Sequence, residues 1–413
     1  MSFSDLPLST QLLQAIEKSG YSEPTPVQLR GIPAILDGKD LLVGAKTGTG
    51  KTAAFVLPIL HKLLTAEDFS EDSKRLKALI LAPTRELAQQ VNDSCRKYAK
   101  GTGFRSAVIY GGVGIGPQVD QIKKGIDLLV ATPGRLLDLH KKRAVDLRNI
   151  EFLVFDEADR MLDMGFKDEI RMVISKLPKR EKQPRQTLLF SATLSDNIYK
   201  FGKNLMLKPE LIEVDQRNDT AEHVEQVIYN CDPERKTEIV SHLIKRSDWS
   251  QVMIFSRTKQ GADQLAAKLT EADIASESLH ADRSQTAREQ ALEAFKQGEV
   301  RVLVATDVAA RGIDINQLAC VINYEMPYKA EDYVHRIGRT GRAGYKGKAI
   351  SLLIEEENYL LEEIEALLDT RLPQQWLEGF EPDPMRVVEV SRKNSKSAQK
   401  QRAKKRALRK GKR

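Results

Sequence analysis

The chain alternates short apolar runs with longer stretches of helical periodicity. Short apolar runs of this kind predict parallel strands that are buried on both faces, and the stretches between them predict the helices that cover the sheet. The pattern therefore predicts an α/β protein with two such domains in tandem. The runs of the first half lie at residues 40–43, 78–81, 107–110, 128–130, 152–155 and 187–190, and those of the second half at 227–229, 252–255, 302–304, 321–324 and 349–353.

The domain limits follow from the places where this pattern stops. Residues 215–222 are polar and lack apolar periodicity, which is typical of a linker. After Pro373 the helical and strand patterns fade. We therefore predict a first domain at 1–208, a linker at 209–222, a second domain at 223–372 and a basic, largely disordered extension at 373–413.

Length and cysteine content narrow the class of protein. A chain of 413 residues fits two domains that each bury a full core. Cys95, Cys231 and Cys320 match no disulfide or zinc spacing, which indicates a reducing compartment. The N-terminus has no signal-peptide pattern, and no apolar run is long enough to span a bilayer. We expect a soluble cytoplasmic protein without a membrane partner.

The positive charge is concentrated at the C-terminus. The formal net charge is +7, but residues 391–413 contain 12 Lys and Arg and no Asp or Glu, which leaves 53 Lys and Arg against 58 Asp and Glu in the rest. This tail is poor in apolar residues, so we expect it to be disordered in isolation. Nucleic-acid affinity of the body must depend on local patches.

The stretch FLVFDEADR, residues 152–160, ends a buried apolar run in three carboxylates, Asp156, Glu157 and Asp159. Loops that leave the C-termini of parallel strands line the ligand crevice, and carboxylates there can hold a metal ion and a general base. Asp and Glu are also favoured in the first turn of a helix. Taken alone, the stretch favours the helix start.

A glycine-rich segment at residues 45–52, AKTGTGKT, follows one apolar run and precedes a helical pattern. This context predicts a phosphate-binding loop at a helix N-terminus, where Lys51 supplies charge and Thr52 a hydroxyl for Mg²⁺. The strict pattern has Gly where Ala45 stands. With a nucleotide bound there, Asp156 can hold Mg²⁺ and Glu157 can position or deprotonate the attacking water.

The segment HRIGRTGR, residues 335–342, spaces its arginines three apart. Arginines at this spacing present planar donors on one helix face, which suits bidentate recognition of phosphate. A basic helix start is otherwise more often a solvated surface.

In combination, these motifs resemble the DEAD-box ATP-dependent RNA helicases of superfamily 2, in particular compact bacterial members with a basic C-terminal tail. The resemblance runs from about residue 3 to residue 354. It implies two RecA-like domains, ATP and Mg²⁺ as cofactors, and RNA as the partner, with the tail as an additional anchor. Proteins of ribosome assembly or RNA turnover are possible further partners by family association.

The resemblance assigns an adenine-reading element to residues 20–28, in which Gln28 contacts the base edge and Tyr21 stacks on the base, with Phe3 as an upstream aromatic. Asp314 would hold the ribose hydroxyls. Lys46 stands where the family usually has Gln, and its effect is unexplained. The complete predicted cofactor-binding set is Phe3, Tyr21, Gln28, Ala45, Lys46, Thr47, Gly48, Thr49, Gly50, Lys51, Thr52 and Asp314.

The remaining roles also come from the resemblance. Ser191 and Thr193 would couple RNA binding to hydrolysis through hydrogen bonds to the carboxylates that follow residue 155, and His335 would tie its segment to that stretch. Arg339 and Arg342 would act as arginine fingers on the γ-phosphate. RNA-backbone contacts, which carry no base sequence, are assigned to Pro83, Thr84, Arg85, Gly111, Gly112, Thr132, Pro133, Arg135, Arg257, Arg288 and Thr306.

The sequence thus predicts an ATP-dependent RNA helicase that couples RNA-stimulated ATP hydrolysis to local, non-sequence-specific separation of short duplexes or remodelling of RNA–protein complexes by closure of two domains. An ATP-gated RNA clamp or RNA chaperone with little turnover is the alternative. A DNA translocase of the same superfamily is a third possibility.

Overall fold

The computed structural model describes residues 2–45, 48–66, 76–181, 184–214, 224–310, 313, 315, 318–341 and 347–386. The chain divides into two compact units, Met1–Gln216 and Arg217–Arg413. Within the described residues, no helix is both long enough and apolar enough to cross a membrane.

The first unit is a parallel sheet covered by helices. In its described part, seven strands lie in the order β3-β4-β2-β5-β6-β1-β7. The strands are β1 (Leu41–Gly44), β2 (Ala78–Leu81), β3 (Ser106–Ile109), β4 (Leu128–Ala131), β5 (Phe152–Phe155), β6 (Gln186–Ser191) and β7 (Glu210–Glu213). The helices are α1 (Thr10–Glu17), α2 (Pro26–Leu36), α3 (Lys51–Leu64), α4 (Arg85–Tyr98), α5 (Gly116–Lys123), α6 (Pro133–Lys141), α7 (Ala158–Asp163), α8 (Lys167–Lys176) and α9 (Asp196–Leu205).

The apolar runs form strands because both faces of this sheet are covered. In β5, Phe152 and Val154 pack into one apolar cluster. Leu153 and Phe155 pack into a second cluster on the other face. Side chains of a strand alternate between the two faces, so a run without polar residues can be buried only between two helical layers.

The second unit repeats this architecture. Its described strands lie in the order β10-β11-β9-β12-β13-β8-β14, and paired strands run parallel. The strands are β8 (Val224–Asn230), β9 (Val252–Phe255), β10 (Ser276–Leu279), β11 (Val302–Ala305), β12 (Cys320–Asn323), β13 (Gly347–Leu353) and β14 (Gln374–Gln375). The helices are α10 (Lys236–Lys245), α11 (Lys259–Glu271), α12 (Gln285–Gln297), α13 (Asp307–Ala310), α14 (Ala330–Ile337) and α15 (Asn358–Leu368). Two parallel sheets covered by helices confirm the predicted fold class of two tandem RecA-like domains.

Two segments differ from the predicted organisation. Residues 210–213, predicted as the start of the linker, form β7 and pair with β1. Residues 374–386, predicted as part of a largely disordered extension, pack on the second unit: β14 pairs with β8, and Phe380 is buried in an apolar cluster. Arg386 also forms an ion pair of 2.7 Å with Glu356. The basic tail itself lies outside the described residues.

Candidate active site

The phosphate-loop segment connects β1 to the N-terminus of α3. Gly48 and Gly50 have φ values of +85° and +86°, a left-handed conformation that glycine adopts without a steric penalty. Lys51 is buried, and its Nζ donates a hydrogen bond of 2.6 Å to the carbonyl oxygen of Ala45 at the other end of the loop. Backbone N–H groups at a helix N-terminus and a buried lysine together form a site for an anion. Lys46 and Thr47 lie outside the described residues.

Gln28 is fixed against this loop. Its Oε1 accepts a hydrogen bond of 2.9 Å from the N–H of Thr25, and its Nε2 donates one of 3.1 Å to the carbonyl oxygen of Gly50. A Cβ added to Gly50 would stand 2.3 Å from that Nε2, so this position requires glycine. These two contacts use half of the hydrogen-bonding capacity of a primary amide. The residue predicted to contact the base is therefore positioned by the loop that would hold the phosphates.

The two aromatic residues predicted to lie near the base differ in exposure. Phe3 is 6% exposed and belongs to an apolar cluster of the first unit, so in this structure it is a packing residue. Tyr21 is 46% exposed, and the Nζ of Lys97 lies 5.1 Å from the centroid of its ring. Of these two rings, Tyr21 is the one accessible to a stacking ligand.

Asp156 follows β5 directly and has the environment expected of a cation ligand. Its N–H donates to the carbonyl oxygen of Leu81 at 3.0 Å, and its side chain is 2% exposed. Within the part of the chain that the structure describes, its Oδ1 is buried and has no hydrogen-bond partner. Burial and the neighbouring charge of Glu157 raise the pKa of Asp156 to about 7. A buried carboxylate oxygen without a donor is stabilised when a cation binds it.

The residues present fit Mg²⁺ in particular. Among the described residues, no group of three or more His, Cys, Asp or Glu side chains could hold a metal ion by itself. Mg²⁺ is commonly bound by one or two protein oxygens together with nucleotide phosphates and water. Asp156 and Thr52, in the first turn of α3, could supply those protein oxygens.

Glu157 adopts an unusual backbone conformation and is paired. Its φ is 55°, the left-handed region that is uncommon for a residue with a Cβ. It is the N-cap of α7, and its carboxylate accepts a hydrogen bond from the guanidinium of Arg160 in the next turn. Both side chains are buried, with exposed fractions of 3% and 2%. Arg160 has no predicted role, although it is the last residue of the stretch FLVFDEADR.

Asp159 connects this motif to the end of β6. Its Oδ2 accepts hydrogen bonds of 3.0 Å from the N–H and 3.1 Å from the hydroxyl of Thr193. The hydroxyl of Ser191 donates to the carbonyl oxygen of Thr193 at 2.7 Å. The structure thus places Thr193 in direct contact with Asp159, and Ser191 supports the turn that holds Thr193.

The predicted RNA contacts of the first unit follow three neighbouring strands, β3, β4 and β2, whereas the phosphate loop and the carboxylate motif follow β1 and β5, and Thr193 follows β6. Thr84 caps α4 by accepting a hydrogen bond of 3.3 Å from the N–H of Leu87, and Thr132 is the N-cap residue of α6. Pro83 and Pro133 are buried beside them. Because the C-termini of parallel strands meet at one edge, these residues share that edge with the phosphate loop.

The loop after β3 is held by side chains from three other positions. Gln118 accepts a hydrogen bond of 3.1 Å from the N–H of Tyr110 and donates one of 3.2 Å to its carbonyl oxygen, and Arg135 donates to the carbonyl oxygen of Val113 at 2.9 Å. Gly112 has a φ of +77°, and a Cβ there would stand 2.0 Å from Nη2 of Arg85. The loop with Gly111 and Gly112 is therefore shaped by Arg85 and Arg135. Gln118 gave no signal in the sequence.

In the second unit, Arg257 follows β9 and is bound by acidic residues. Its guanidinium forms ion pairs with Glu357 and, at 3.4 Å, with Glu325, and its N–H donates to Glu325 at 2.7 Å. Burial raises the pKa of Glu325, but the N–H and the positive charge of Arg257, together with the Ser256 hydroxyl and the charge of Lys236, outweigh burial and lower that pKa overall. Thr306 follows the neighbouring strand β11 and is buried. Arg288 lies in the first turn of α12, where its N–H donates to the carbonyl oxygen of Ser284 at 3.0 Å.

Of the two arginines predicted to reach the γ-phosphate, Arg339 lies within the described residues and Arg342 does not. Arg339 is 3% exposed, and its Nη1 donates to the carbonyl oxygen of Ile313 at 2.7 Å. Arg336 is also buried and forms a bidentate ion pair with Asp307, at 2.6 and 2.7 Å. His335 lies on α14 with its Nδ1 4.0 Å from Asp332. Arg342 and Asp314 lie outside the described residues.

Comparison with known proteins extends over most of the chain. The family model described as DEAD/DEAH box helicase matches residues 25–201, and the model described as helicase conserved C-terminal domain matches residues 235–344. The chain is 41% identical over 382 residues to the ATP-dependent RNA helicase CshA of Listeria monocytogenes, covering 92% of this chain and 72% of that protein.

Longer relatives and solved structures give similar results. The chain is 42% identical to the probable ATP-dependent RNA helicase DDX4 of Homo sapiens over 374 residues, 89% of this chain and about half, 52%, of that protein. The structure described as S. cerevisiae Dbp5 bound to RNA and ADP BeF3 matches with a TM-score of 0.79 and 30% identity, covering 91% of this chain and 95% of that one.

Proposed function

Because the chain belongs to the DEAD/DEAH box helicase family, we propose that it couples RNA-stimulated ATP hydrolysis to local, sequence-independent separation of short RNA duplexes or remodelling of RNA–protein complexes. The observation that carries the proposal is the arrangement of one sheet edge in the first unit. Phosphate-loop and carboxylate residues follow β1, β5 and β6, and the proposed RNA-contact residues follow the adjacent strands β2, β4 and β3. Nucleotide and RNA would therefore bind next to each other along this edge.

In the proposed function, the first unit binds ATP. The N–H groups of residues 48–51 and the Nζ of Lys51 hold the phosphates, Gln28 contacts the adenine edge and Tyr21 stacks on the base. Lys51 must then exchange its hydrogen bond to Ala45 for a phosphate oxygen. Mg²⁺, bound by Asp156 and Thr52 with the phosphates, would neutralise charge that develops on the transferred phosphoryl group.

Glu157 is the proposed general base. In the structure Arg160 pairs with Oε2 of its carboxylate, so the proposal assigns the proton of the attacking water to Oε1. The hydrogen bonds between Thr193 and Asp159 connect helix α7, which follows Glu157, to the end of β6. We propose that this connection transmits the effect of bound RNA to Glu157, with His335, Arg339 and Arg342 completing the site when the two domains close.

RNA is bound chiefly through its backbone in this proposal. The residues assigned to it in the first unit present helix N-termini, hydroxyl groups and two guanidinium groups, which recognise phosphate and sugar and not the base edges. Arg135 is suited to this role because its Nε and Nη1 are buried without a hydrogen-bond partner in the described part of the chain. A phosphate oxygen would satisfy them once a shift of the side chain exposed these two nitrogen atoms.

A slowly cycling RNA clamp is a second candidate. The ion pair between Glu157 and Arg160 favours it, because a carboxylate paired with a cation is a weaker base and would support only slow ATP hydrolysis. The two candidates differ in turnover. We expect single-stranded RNA to stimulate ATP hydrolysis and ATP to drive separation of a short RNA duplex. An ATP-stabilised RNA complex without multiple turnover would support the clamp, and equal stimulation by RNA and by DNA of the same sequence would contradict the assignment to RNA.

The basic tail gives a prediction that does not depend on the ATP site. Deletion from Ser391 removes 12 Lys and Arg, and each lost phosphate contact on a single strand lowers the slope of log affinity against log salt by about 0.7. We expect weaker binding of single-stranded RNA and a slope that is smaller by about 3 to 8 if roughly 4 to 12 contacts are lost. The measurement is a salt titration of RNA affinity.

The matched control for this deletion is a tail with the same composition in scrambled order. It should keep the slope of the full-length protein, because counterion release depends on charge and not on order. Identical slopes for the deleted and full-length chains would show that the tail is not an RNA anchor.

A further inference from the structure

An exposed aromatic ring stands beside the second unit's fixed arginine. Tyr328 lies in the loop between β12 and α14 and is 64% exposed. The guanidinium carbon of Arg257 lies 4.7 Å from the centroid of its ring, within the range of a cation–π contact. The ring is thus supported by a cation while most of its surface remains accessible.

The support itself is rigid. Arg257 is held by carboxylates of Glu357 and Glu325, and its own N–H donates to Glu325 at 2.7 Å. The side chain of Arg257 is only 17% exposed. A ring placed on a fixed guanidinium loses little additional freedom when a ligand stacks on it, which favours binding.

This geometry gives Arg257 a contact that the family resemblance does not assign to it. Its guanidinium is already engaged by two carboxylates in the structure, which is unlike a fork presented to a phosphate group. Through its contact with Tyr328, Arg257 would contribute to RNA binding indirectly, because it holds the ring in place.

The ring also lies at the appropriate edge of the sheet. Strands β11, β9 and β12 are neighbours and parallel. Thr306 follows β11, Arg257 follows β9, and the loop with Tyr328 follows β12. The C-termini of parallel strands share one edge, so Tyr328 lies on the same edge as Thr306, a proposed RNA-backbone contact of this unit.

We propose that Tyr328 is a stacking platform for one unpaired nucleobase of the bound RNA. The proposal rests on the proposed function, because it requires an RNA strand along this edge. Every base has a π-face, so stacking on tyrosine tolerates any sequence but requires that the base be unpaired. The platform would therefore add a preference for single-stranded RNA to a site that otherwise contacts the backbone.

The test compares Tyr328→Ala and Tyr328→Phe in the full-length protein, with binding of single-stranded RNA measured in the presence of a non-hydrolysable ATP analogue. We expect Tyr328→Ala to weaken binding by about 5- to 150-fold, the range for loss of one base stack, and Tyr328→Phe to retain affinity. The salt dependence should not change, because no phosphate contact is lost.

An RNA scanned with a single abasic position locates the base. At one position the abasic RNA should bind the wild-type protein as weakly as intact RNA binds Tyr328→Ala, with no further loss when both changes are combined. Additive losses at every position, a changed salt slope or unchanged affinity in Tyr328→Ala would each overturn the proposal.

Two controls separate this proposal from others. Leu207→Ala removes another exposed apolar side chain, 72% exposed and located before β7, and should not affect RNA binding. The free energy of unfolding of Tyr328→Ala is compared with its free energy of binding to each RNA. If both fall by the same amount on every RNA, the ring only shields Arg257, and this result would also overturn the proposal. Failure of the proposed function is recognised separately, since the wild-type protein would then show no RNA-stimulated hydrolysis.

Discussion

Replacement of Glu157 by Gln is expected to reduce the RNA-stimulated rate of ATP hydrolysis by about 10²- to 10⁴-fold, the contribution of a positioned general base. Gln keeps the size of the side chain but cannot accept a proton from water at neutral pH. Binding of ATP and RNA should be retained, because Lys51, Asp156 and Gln28 are unchanged. The measurement is the rate at saturating RNA, together with the affinity for each ligand.

The buried pair between Glu157 and Arg160 requires an additional variant. Both side chains are almost fully buried, and removal of one charge from a buried pair costs up to about 3–5 kcal/mol. Glu157→Gln is therefore expected to unfold at a lower temperature. The double variant Glu157→Gln with Arg160→Met removes both charges, and it should recover stability while remaining inactive.

Asp163→Asn is the matched control, since Asp163 is an exposed carboxylate on the same short helix α7. It should hydrolyse ATP at the normal rate. Substantial turnover in Glu157→Gln under conditions where it binds both ligands would refute the assignment of the base.

The central strands of both sheets could be predicted from the sequence, and most of the outermost strands could not. Central strands such as β5 and β9 are uniformly apolar because they are buried on two faces. Strands β7, β10 and β14 lie at edges of the sheets, and they read ELIE, SESL and QQ. An edge strand has only one neighbour and more solvent, so these three strands carry polar residues and have the composition of a loop, whereas the edge strand β3 reads SAVI and was predicted.

In the candidate site, the types of the catalytic residues could be predicted from the sequence, but their backbone conformation and pairing could not. The chemical types of Lys51, Asp156 and Glu157 are visible in the sequence because catalysis restricts them. The left-handed backbone of Glu157 is not, since most residues with a Cβ avoid that region and neighbouring tertiary structure must impose it. The pairing of Glu157 with Arg160 likewise depends on the turn geometry of α7, where residues three apart face each other.

The polar residues that position the loops left no recognisable signal. Gln118 holds both backbone groups of Tyr110, and Glu325 binds the N–H and the side chain of Arg257. Each belongs to a different element from the residue that it positions, so its role depends on contacts distant in sequence. The burial of Arg339 also depends on a contact distant in sequence, its hydrogen bond to the carbonyl oxygen of Ile313. The motif HRIGRTGR does not show whether an arginine is buried in this way or exposed as a finger.

Replacement of Arg342 by Ala is expected to lower the RNA-stimulated rate of ATP hydrolysis by about 10³- to 10⁵-fold, the contribution measured for arginine fingers. The affinity for ATP should change little, because the charge stabilised by such an arginine develops chiefly in the transition state. Arg342 is a better test than Arg339, whose guanidinium is buried and donates to Ile313, so that Arg339→Ala would also destabilise the fold.

Single-turnover hydrolysis at saturating ATP and RNA separates the possible roles of Arg342. A finger lowers the rate of the chemical step, and Arg342→Lys recovers only part of it because a point charge lacks the planar fork. An RNA contact would instead raise the RNA concentration needed for half-maximal stimulation while leaving the maximal rate intact. Arg246→Ala, an exposed arginine at the end of α10, should match the wild-type protein. An unchanged maximal rate in Arg342→Ala would exclude the proposed contribution of the second domain to hydrolysis.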